Sequence, residues 1–284
     1  MNEIYICFPG FVKKALTLSY DDGVRQDKRL IEIMKRHGLK GTFNINSGLF
    51  SDSYNGVEKG RMTKEECLDL YVASGMEVAI HGYRHISLTK VESALALNDI
   101  VTDRKELEKM FGRVVTGMAY AFGTFNDDIV SFIGKAGVNY ARTTISTEKF
   151  DIPSDWLRLP TTCHHNNPRL MELAKEFVES TERNYWHGTL KLFYLWGHSY
   201  EFDDHNNWDV IENFAEYIGC KEDIWYATNG EIFDYLKACE NLRFSIDGTL
   251  VCNLSGIDIY IDYMNKKHII PAGKTICIET GEIS

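Results

Sequence analysis

Two adjacent carboxylates follow the first clearly patterned stretch of the chain. Residues 15–23 read Ala-Leu-Thr-Leu-Ser-Tyr-Asp-Asp-Gly, and the alternation of apolar and polar side chains over 16–19 predicts a strand. Gly23 would let the chain turn sharply after Asp21 and Asp22. Because neighbouring strand residues point to opposite sides, one carboxylate could bind a cation while the other accepts a proton. A plain turn is the alternative, since Asp-Asp-Gly suits turns in any protein.

Two histidines four residues apart provide further candidate ligands. His81 and His85 follow a predicted strand, Met76–Ile80, and on a helical turn this spacing places both imidazoles on one face. With one aspartate they form a two-histidine, one-carboxylate set that leaves positions open for water and substrate. Zn²⁺ is the divalent metal that we expect there. The alternative is a pair of surface loop residues, because a bare His-x-x-x-His spacing is a loose pattern.

More histidines come directly after other predicted strands. His164 and His165 follow the strand Leu157–Cys163, and His198 follows Leu190–Trp196. In a parallel barrel the carboxyl ends of all strands open on one face, where active sites are built. We therefore expect these histidines to converge with the carboxylates.

The rhythm of strands and helices predicts the fold. Seven or eight strand–helix alternations indicate a parallel sheet covered by helices, and this number of units favours a closed barrel. Capping boxes at 63–66 and 89–92 open helices that end at Gly75 and Gly112. The predicted strands are an edge strand at 4–8, then 15–19, 40–46, 76–80, 114–121, 138–144, 157–163 (broken by Pro160), 190–196 and 224–227. The other predicted helices are 26–37, 126–136, 168–179, 208–218 and 231–239.

The pattern changes after residue 239. From there the chain shows short strands separated by glycine and proline. We expect a distorted (β/α) barrel of seven or eight parallel strands over residues 1–239 and a small antiparallel β appendage over residues 240–284. The appendage could bind a glycan, pack on the barrel or mediate dimerisation.

Composition limits the class of protein. The 284 residues are 44% hydrophobic and 25% charged, as in a soluble globular protein. A net charge of −10 without a basic cluster argues against a nucleic-acid partner. No apolar run approaches a membrane span and no signal peptide is seen, so we expect no membrane partner and a cytoplasmic location, unless a leader has been removed. The seven scattered cysteines form no Cys-x-x-Cys pair and fit reduced thiols.

The motifs at residues 19–23 and 81–85 resemble those of a known family. Ser-Tyr-Asp-Asp-Gly is similar to the Thr-Phe-Asp-Asp-Gly motif, and His-Gly-Tyr-Arg-His to the His-Ser/Thr-x-x-His motif, of the polysaccharide deacetylases of carbohydrate esterase family 4, the NodB-homology group. The resemblance implies that Asp21 is the general base. It also implies that a divalent metal is held by Asp22, His81 and His85.

A third stretch resembles the family with two departures. Residues 119–123, Ala-Tyr-Ala-Phe-Gly, look like Arg-Pro-Pro-Tyr-Gly. The family arginine that steadies the base is missing at Ala119, and Phe122 stands where the family has a tyrosine. Because that tyrosine contributes mainly its backbone N–H, the resemblance implies that Phe122 can stabilise the oxyanion. Arg142, after a predicted strand, could replace the missing arginine, or it could be a solvated salt-bridge partner.

Two further motifs are similar to those of the family. Trp196-Gly197-His198 looks like the leucine-x-histidine motif, which implies that His198 is the general acid. Asp155-Trp156 resembles the fourth, Asp-Trp-type motif. The aromatic residues around His198 could stack on a sugar ring or belong to the core. They are Trp196, Tyr200, Phe202 and Trp208. His164 could contact substrate or support the site, or it could be a loop residue.

The sequence therefore predicts a metal-dependent deacetylase with a carbohydrate substrate. Two alternatives remain open at this point. The same barrel could hydrolyse small non-peptide amides, or the chain could be an inactive carbohydrate-binding relative in which the altered third motif marks lost activity. Acetate release from acetylated glycans, turnover of small amides only, or neither would distinguish the three. The sequence indicates nothing about the oligomeric state.

Overall fold

The computed structural model describes residues 4–52, 60–180 and 189–282. Its strands are β1 Ile4–Cys7, β2 Lys14–Asp21, β3 Gly41–Ile45, β4 Glu77–Ile80, β5 Gly117–Ala119, β6 Tyr140–Ser146, β7 Leu159–Thr161, β8 Cys163–His164, β9 Lys191–Gly197, β10 Ile224–Tyr226, β11 Arg243–Phe244, β12 Leu250–Cys252, β13 Ile259–Tyr263, β14 Lys266–Ile270 and β15 Thr275–Cys277. Its α-helices are α1 Asp27–Arg36, α2 Lys64–Ser74, α3 Ser93–Phe111, α4 Asp127–Lys135, α5 Leu170–Glu179, α6 Glu201–Asp204, α7 Trp208–Ile218 and α8 Asn229–Glu240.

The central sheet is parallel and closes on itself. Its order is β7-β6-β5-β4-β3-β2-β9-β8, with β10 also paired to β2. Only Thr162 separates β7 from β8, so one extended segment pairs with β6 through β7 and with β9 through β8. The predicted distorted barrel of seven or eight parallel strands is confirmed. The predicted break at Pro160 is wrong, because the interruption falls at Thr162, where the segment changes its pairing partner.

Strand β2 lies between β3 and β9 in the barrel sheet, and all eight of its residues are buried. Leu16, Leu18 and Tyr20 belong to the large core between the sheet and the outer helices. Side chains in a strand alternate between faces, so Asp21 shares the opposite, inward face with Thr17, whose hydroxyl donates to Asn229 Oδ1 inside the barrel (2.8 Å). The alternation read from the sequence therefore directs Asp21 into the barrel.

Some predicted helix ends are confirmed and two are wrong. Thr63 and Glu66 form the capping box that opens α2, and Gly75 ends it with a left-handed φ of 70°. The second predicted box fails, because Thr89 lies in a 3-10 turn, extended residues follow, and α3 begins only at Ser93. Helix α5 begins at Leu170 rather than at residue 168.

The C-terminal residues form two antiparallel three-stranded sheets, as predicted for the appendage. One has the order β11-β12-β15 and the other β1-β13-β14. The predicted N-terminal edge strand is present as β1, but it pairs with β13, so this strand joins the appendage although it precedes residue 240. Tyr235 of α8 connects the two parts, since its hydroxyl donates to Cys7 O and accepts from Tyr260 N–H (3.0 Å). Among the described residues, no helix has both the length and the apolar character needed to cross a bilayer.

Candidate metal centre and active site

Three of the predicted ligands meet at the carboxyl ends of β2 and β4. Asp22 Oδ1 lies 3.9 Å from His81 Nε2 and 3.7 Å from His85 Nε2, and the three ligand atoms all lie within 4.8 Å of one another. The two histidines do not share a helical turn. His81 directly follows β4, and a turn with left-handed Gly82 (φ 85°) and His85 (φ 52°) brings the second imidazole next to the first, with 4.8 Å between ring centres. This corrects the sequence-based reason for their proximity.

The protonation state of these histidines fits a divalent cation. His81 Nδ1 lies 2.9 Å from the main-chain oxygen of Ala119, so Nδ1 carries the proton and the Nε2 lone pair faces Asp22. Burial lowers the pKa of His81, and burial together with His81 lowers the pKa of His85 to about 4. Two neutral imidazoles and one carboxylate form a donor set that suits Zn²⁺.

Asp22, His81 and His85 are called the metal cage below. Asp21 lies beside this cage as a separate carboxylate, 2% exposed. Its Oδ1 accepts from Asn44 Nδ2 (2.8 Å), and its Oδ2 pairs with the Arg142 guanidinium. Burial would raise its pKa, but the charges of Arg142, His81 and His198 outweigh burial and lower the pKa of Asp21 to about 2. The carboxylate is therefore ionised at neutral pH.

Arg142 contacts Asp21 from β6, the strand that pairs with β5. It is the register partner of Ala119 in the β5–β6 pair, so it stands next to the position where the motif lacks an arginine. Its guanidinium carbon lies 4.4 Å from the centre of the Trp196 ring, a distance that favours cation–π attraction. The hypothesis that Arg142 takes over the contact to Asp21 is confirmed at the level of geometry.

His198 also lies close to Asp21. Its Nε2 is 3.8 Å from Asp21 Oδ2, and its Nδ1 is 3.3 Å from Glu201 Oε1. Burial lowers the pKa of His198, but Glu201, Asp21 and Asp22 outweigh burial and raise it above its usual value. The sequence analysis did not single out Glu201, although the spacing His-x-x-Glu after a strand end was a usable signal.

Residues 10–141 match the family model described as polysaccharide deacetylase. Over this stretch, which is just under half of the chain, the sequence is similar to polysaccharide deacetylases. The matched segment contains Asp21, Asp22, His81, His85 and Phe122. His198 and Glu201 lie beyond it, so their place in the site rests on the geometry above.

Curated relatives include the poly-β-1,6-N-acetyl-D-glucosamine N-deacetylase of Staphylococcus aureus strain MSSA476, which is 25% identical over 143 residues. The match covers 46% of this chain and 48% of that protein. The chain thus spans about half the length of the curated relatives it matches.

Solved structures share the fold. A Mycobacterium smegmatis protein assigned provisionally to the polysaccharide deacetylases has a TM-score of 0.58 at 14% identity, covering 84% of this chain and 96% of that chain. The family 4 carbohydrate esterase from Streptomyces lividans, in complex with acetate, has a TM-score of 0.51 at 15% identity, covering 76% and 93%. At these identities the likeness shows the barrel fold.

One motif of the deacetylase family was assigned wrongly from the sequence. The Asp155 carboxylate caps a 3-10 turn by accepting from Leu157 and Arg158 N–H groups (3.0 and 3.2 Å). The Trp156 ring packs edge-on against Phe233 of α8 (5.2 Å). Neither residue contacts the metal cage or Asp21 among the described contacts, so Asp155-Trp156 takes no part in the site.

Phe122 occupies the tyrosine position of the deacetylase motif in an unusual conformation. Its φ is +57°, its side chain is 64% exposed, and its ring centre lies 4.4 Å from that of His85. The two main-chain hydrogen bonds of this turn come from Gly123 and Thr124 N–H groups (2.9 and 3.3 Å), and neither uses the N–H of Phe122. The N–H of Phe122 is therefore still a candidate oxyanion donor.

The rings of the predicted substrate-contacting residues lie near the ring of His198. His164 meets Trp196 edge-on (4.5 Å between ring centres), and Tyr200 lies 5.2 Å from His198. Phe202 and Trp208, in contrast, belong to the core beneath the helices, which is the core alternative left open for them by the sequence. Trp196, Tyr200 and His164 remain predicted contacts.

Glu201 also contacts the paired histidines. Its Oε2 lies 2.9 Å from His165 Nε2 and 3.3 Å from His164 Nε2, a spacing at which the three could ligate an ion. However, His164 Nδ1 accepts from Asn166 N–H (3.1 Å), which puts the proton on Nε2 and leaves no lone pair there for a metal. We interpret this cluster as a support in which Glu201 pairs with the two imidazoles. Gly197 permits it, because a Cβ there would lie 2.0 Å from His165 Nδ1.

The buried carboxyl group of Asp27 anchors the loop that carries His198. Asp27 Oδ1 accepts from the Ser199 hydroxyl and Oδ2 from the Tyr71 hydroxyl, both at 2.5 Å. Burial raises the pKa of Asp27 to about 7. A carboxyl group whose pKa is raised on folding stabilises the fold below its unfolded pKa and loses that contribution as the pH rises through the folded value.

Asp27→Asn should therefore flatten the pH dependence of stability between pH 5 and pH 7. The free energy of unfolding of the wild type should fall relative to that of the variant by up to about 1.4 kcal/mol per pH unit. Urea titrations at several pH values measure this difference. The exposed Asp128→Asn is the control and should give a pH-independent difference, whereas equal slopes for Asp27→Asn and the wild type would contradict the assignment.

Proposed function

We propose that this protein is a divalent-metal-dependent hydrolase that removes N- or O-linked acetyl groups from a carbohydrate. One observation carries the proposal: Asp21 Oδ2 lies 3.7 Å from His81 Nε2 in the cage and 3.8 Å from His198 Nε2. Cation ligands, a base and an acid thus surround one small volume. The family match over residues 10–141 supports acetyl groups as the target.

The cage residues fit the cation that this chemistry requires. Asp22, His81 and His85 would hold a divalent ion, and their donor set favours Zn²⁺. When bound, such an ion supplies an acidified water as nucleophile and polarises the acyl oxygen.

Asp21 is suited to be the general base. It is ionised, it is not needed as a ligand, and Arg142 and Asn44 fix the orientation of its carboxylate. It accepts the proton of the attacking water. The N–H of Phe122 donates to the oxyanion that forms at the acyl carbon.

His198 is suited to be the general acid. Its raised pKa favours the protonated imidazole, and its Nε2 lies 3.8 Å from Oδ2 of Asp21. It donates a proton to the departing amine or alcohol. Glu201 orients the ring through Nδ1. Trp196, Tyr200 and His164 lie next to His198 and would contact the sugar that leaves.

An acetate-release assay tests the proposal. Metal-free protein is loaded with Zn²⁺ and offered poly-β-1,6-N-acetyl-D-glucosamine, chosen because a curated relative is named for it, together with acetylated chitooligosaccharides, acetylated xylan and small amides. Acetate release from any glycan supports the proposal. Turnover of small amides alone would favour the amidase alternative, and absence of any turnover would contradict hydrolysis.

Glu201→Gln should reduce kcat about tenfold and shift the alkaline limb of the pH–rate profile to lower pH. The neutral amide no longer raises the pKa of His198, so the protonated acid is lost at a lower pH. Glu148→Gln, which removes a carboxylate that pairs with Arg169, is the matched control and should leave the profile unchanged. An unshifted alkaline limb in Glu201→Gln would refute the role of Glu201.

A further inference from the structure

Arg61 holds the metal ligand Asp22 at two points. Its Nη1 donates to the main-chain oxygen of Asp22, and its Nη2 donates to Asp22 Oδ1 at 3.1 Å. The same Nη1 also donates to Asn46 Oδ1 at 2.9 Å. Arg61 is 5% exposed, so these contacts are shielded from water. Nothing in the sequence motifs pointed to this residue.

Asp22 is a residue that needs such support. Its φ is +87°, in the left-handed region that residues with a side chain rarely adopt. Its N–H donates to Asn44 O at 2.9 Å, and its carbonyl is held by Arg61. The peptide units on both sides of the strained residue are therefore fixed, which directs Oδ1 toward His81 and His85.

Main-chain pairing fixes the position of Arg61 itself. Arg25 N–H donates to Gly60 O (2.8 Å) and Met62 N–H donates to Gly23 O (3.2 Å). Val24 and Arg61 form an antiparallel bridge. The short segment 60–62 thus lies against the turn that carries Asp22, so the arginine is oriented before any ligand arrives.

The charge of Arg61 and its geometry have opposite consequences for a cation. A guanidinium close to the cage repels a divalent ion, and if charge were its main effect, its removal would tighten metal binding. The fork that engages the carbonyl and the carboxylate of one residue instead favours binding by fixing the ligand. The two effects can be separated by experiment, because lysine keeps the charge and lacks the fork.

We propose that Arg61 is a positioning residue that forms the cation site by holding Asp22 in its left-handed conformation with Oδ1 turned into the cage. This inference rests on the proposed metal-dependent function and adds a determinant of metal affinity. Arg61 donates directly to Asp22, so its effect reaches the cation through this ligand.

Cobalt(II) and zinc titrations of metal-free protein test the proposal. Arg61→Met and Arg61→Lys should each weaken the affinity for both metals at least about tenfold and alter the visible absorption of the cobalt form. The matched control is Arg104→Met, since Arg104 likewise donates to a carboxylate, Glu108 (2.8 Å), and to a main-chain carbonyl, Ala136 (2.6 Å), but lies on α3 and contacts none of the ligands. It should bind both metals like the wild type. Circular dichroism and thermal melts establish that each variant is folded.

The outcomes separate this proposal from the function on which it rests. If the wild type binds cobalt and Arg61→Met binds it equally or more tightly with an unchanged spectrum, the positioning role is refuted and the metal site stands. Wild-type affinity in Arg61→Lys combined with a loss in Arg61→Met would refute the need for the fork, because a single ammonium donor would then suffice to hold Asp22. If the wild type binds neither metal, the proposed function and this inference fail together.

Discussion

Asp21→Asn should lower the rate of acetate release by about 10²–10⁴-fold while one divalent metal still binds per chain. The asparagine keeps the shape of the side chain but cannot accept a proton. Asp21 lies beside the cage and is not required as a ligand, because Asp22, His81 and His85 already bring three ligand atoms within 4.8 Å of one another. Metal content by elemental analysis and acetate release by a coupled assay give the two quantities.

Asp22→Asn is the matched control for this experiment. It changes the adjacent carboxylate in the same way, but it should remove metal and activity together, since Oδ1 of Asp22 lies close to the Nε2 atoms of both His81 (3.9 Å) and His85 (3.7 Å). If Asp21→Asn retains full activity, Asp21 is not the base. If it loses the metal as Asp22→Asn does, the division of labour between the two carboxylates is refuted.

Arg142→Met should reduce kcat by about 10²-fold, as expected for the loss of a group that orients a catalytic residue. The buried Asp21 carboxylate would lose its ion-pair partner and the contact that fixes Oδ2. The control is Arg158→Met, which breaks the salt bridges to Asp127 and Asp155 and should leave kcat unchanged. Steady-state kinetics on the preferred glycan measures both variants.

A second-site rescue gives the sharper test of Arg142. Residues 119 and 142 are register partners on adjacent strands, so the double variant Ala119→Arg/Arg142→Ala restores an arginine at the family position and provides space for it. We expect activity above that of Arg142→Ala alone, by about tenfold as an order of magnitude. Recovery would show that the arginine, from either strand, serves the base, whereas full activity in Arg142→Met would remove it from that role.

Local patterns in the sequence predicted much of this site. The alternation in β2 predicted that Asp21 and Asp22 have separate positions, and strand ends correctly predicted the convergence of His81, His85 and His198. These inferences succeed because strand parity and the common carboxyl face of a parallel barrel depend on local sequence and on one rule of topology.

Other features depend on contacts that no local pattern encodes. The contact of Arg142 with Asp21 requires the β5–β6 register, and the contact of Glu201 with three imidazoles requires the barrel to close through β8 and β9. The dipeptide Asp155-Trp156 matched a motif but packs beside α8, because a two-residue match carries no information about which end of the barrel it occupies. Arg61 acts on Asp22 across 39 residues of sequence, too far for any spacing rule to reveal.

The most direct test of the account is a zinc titration of metal-free protein, followed by acetate release from the best glycan substrate at each point. The account predicts that activity is absent without metal, rises in proportion to added zinc and saturates at one ion per chain, and that His85→Ala needs far more zinc. Undiminished acetate release from rigorously metal-free protein, or zinc saturation at one ion per chain without any acetate release, would contradict it.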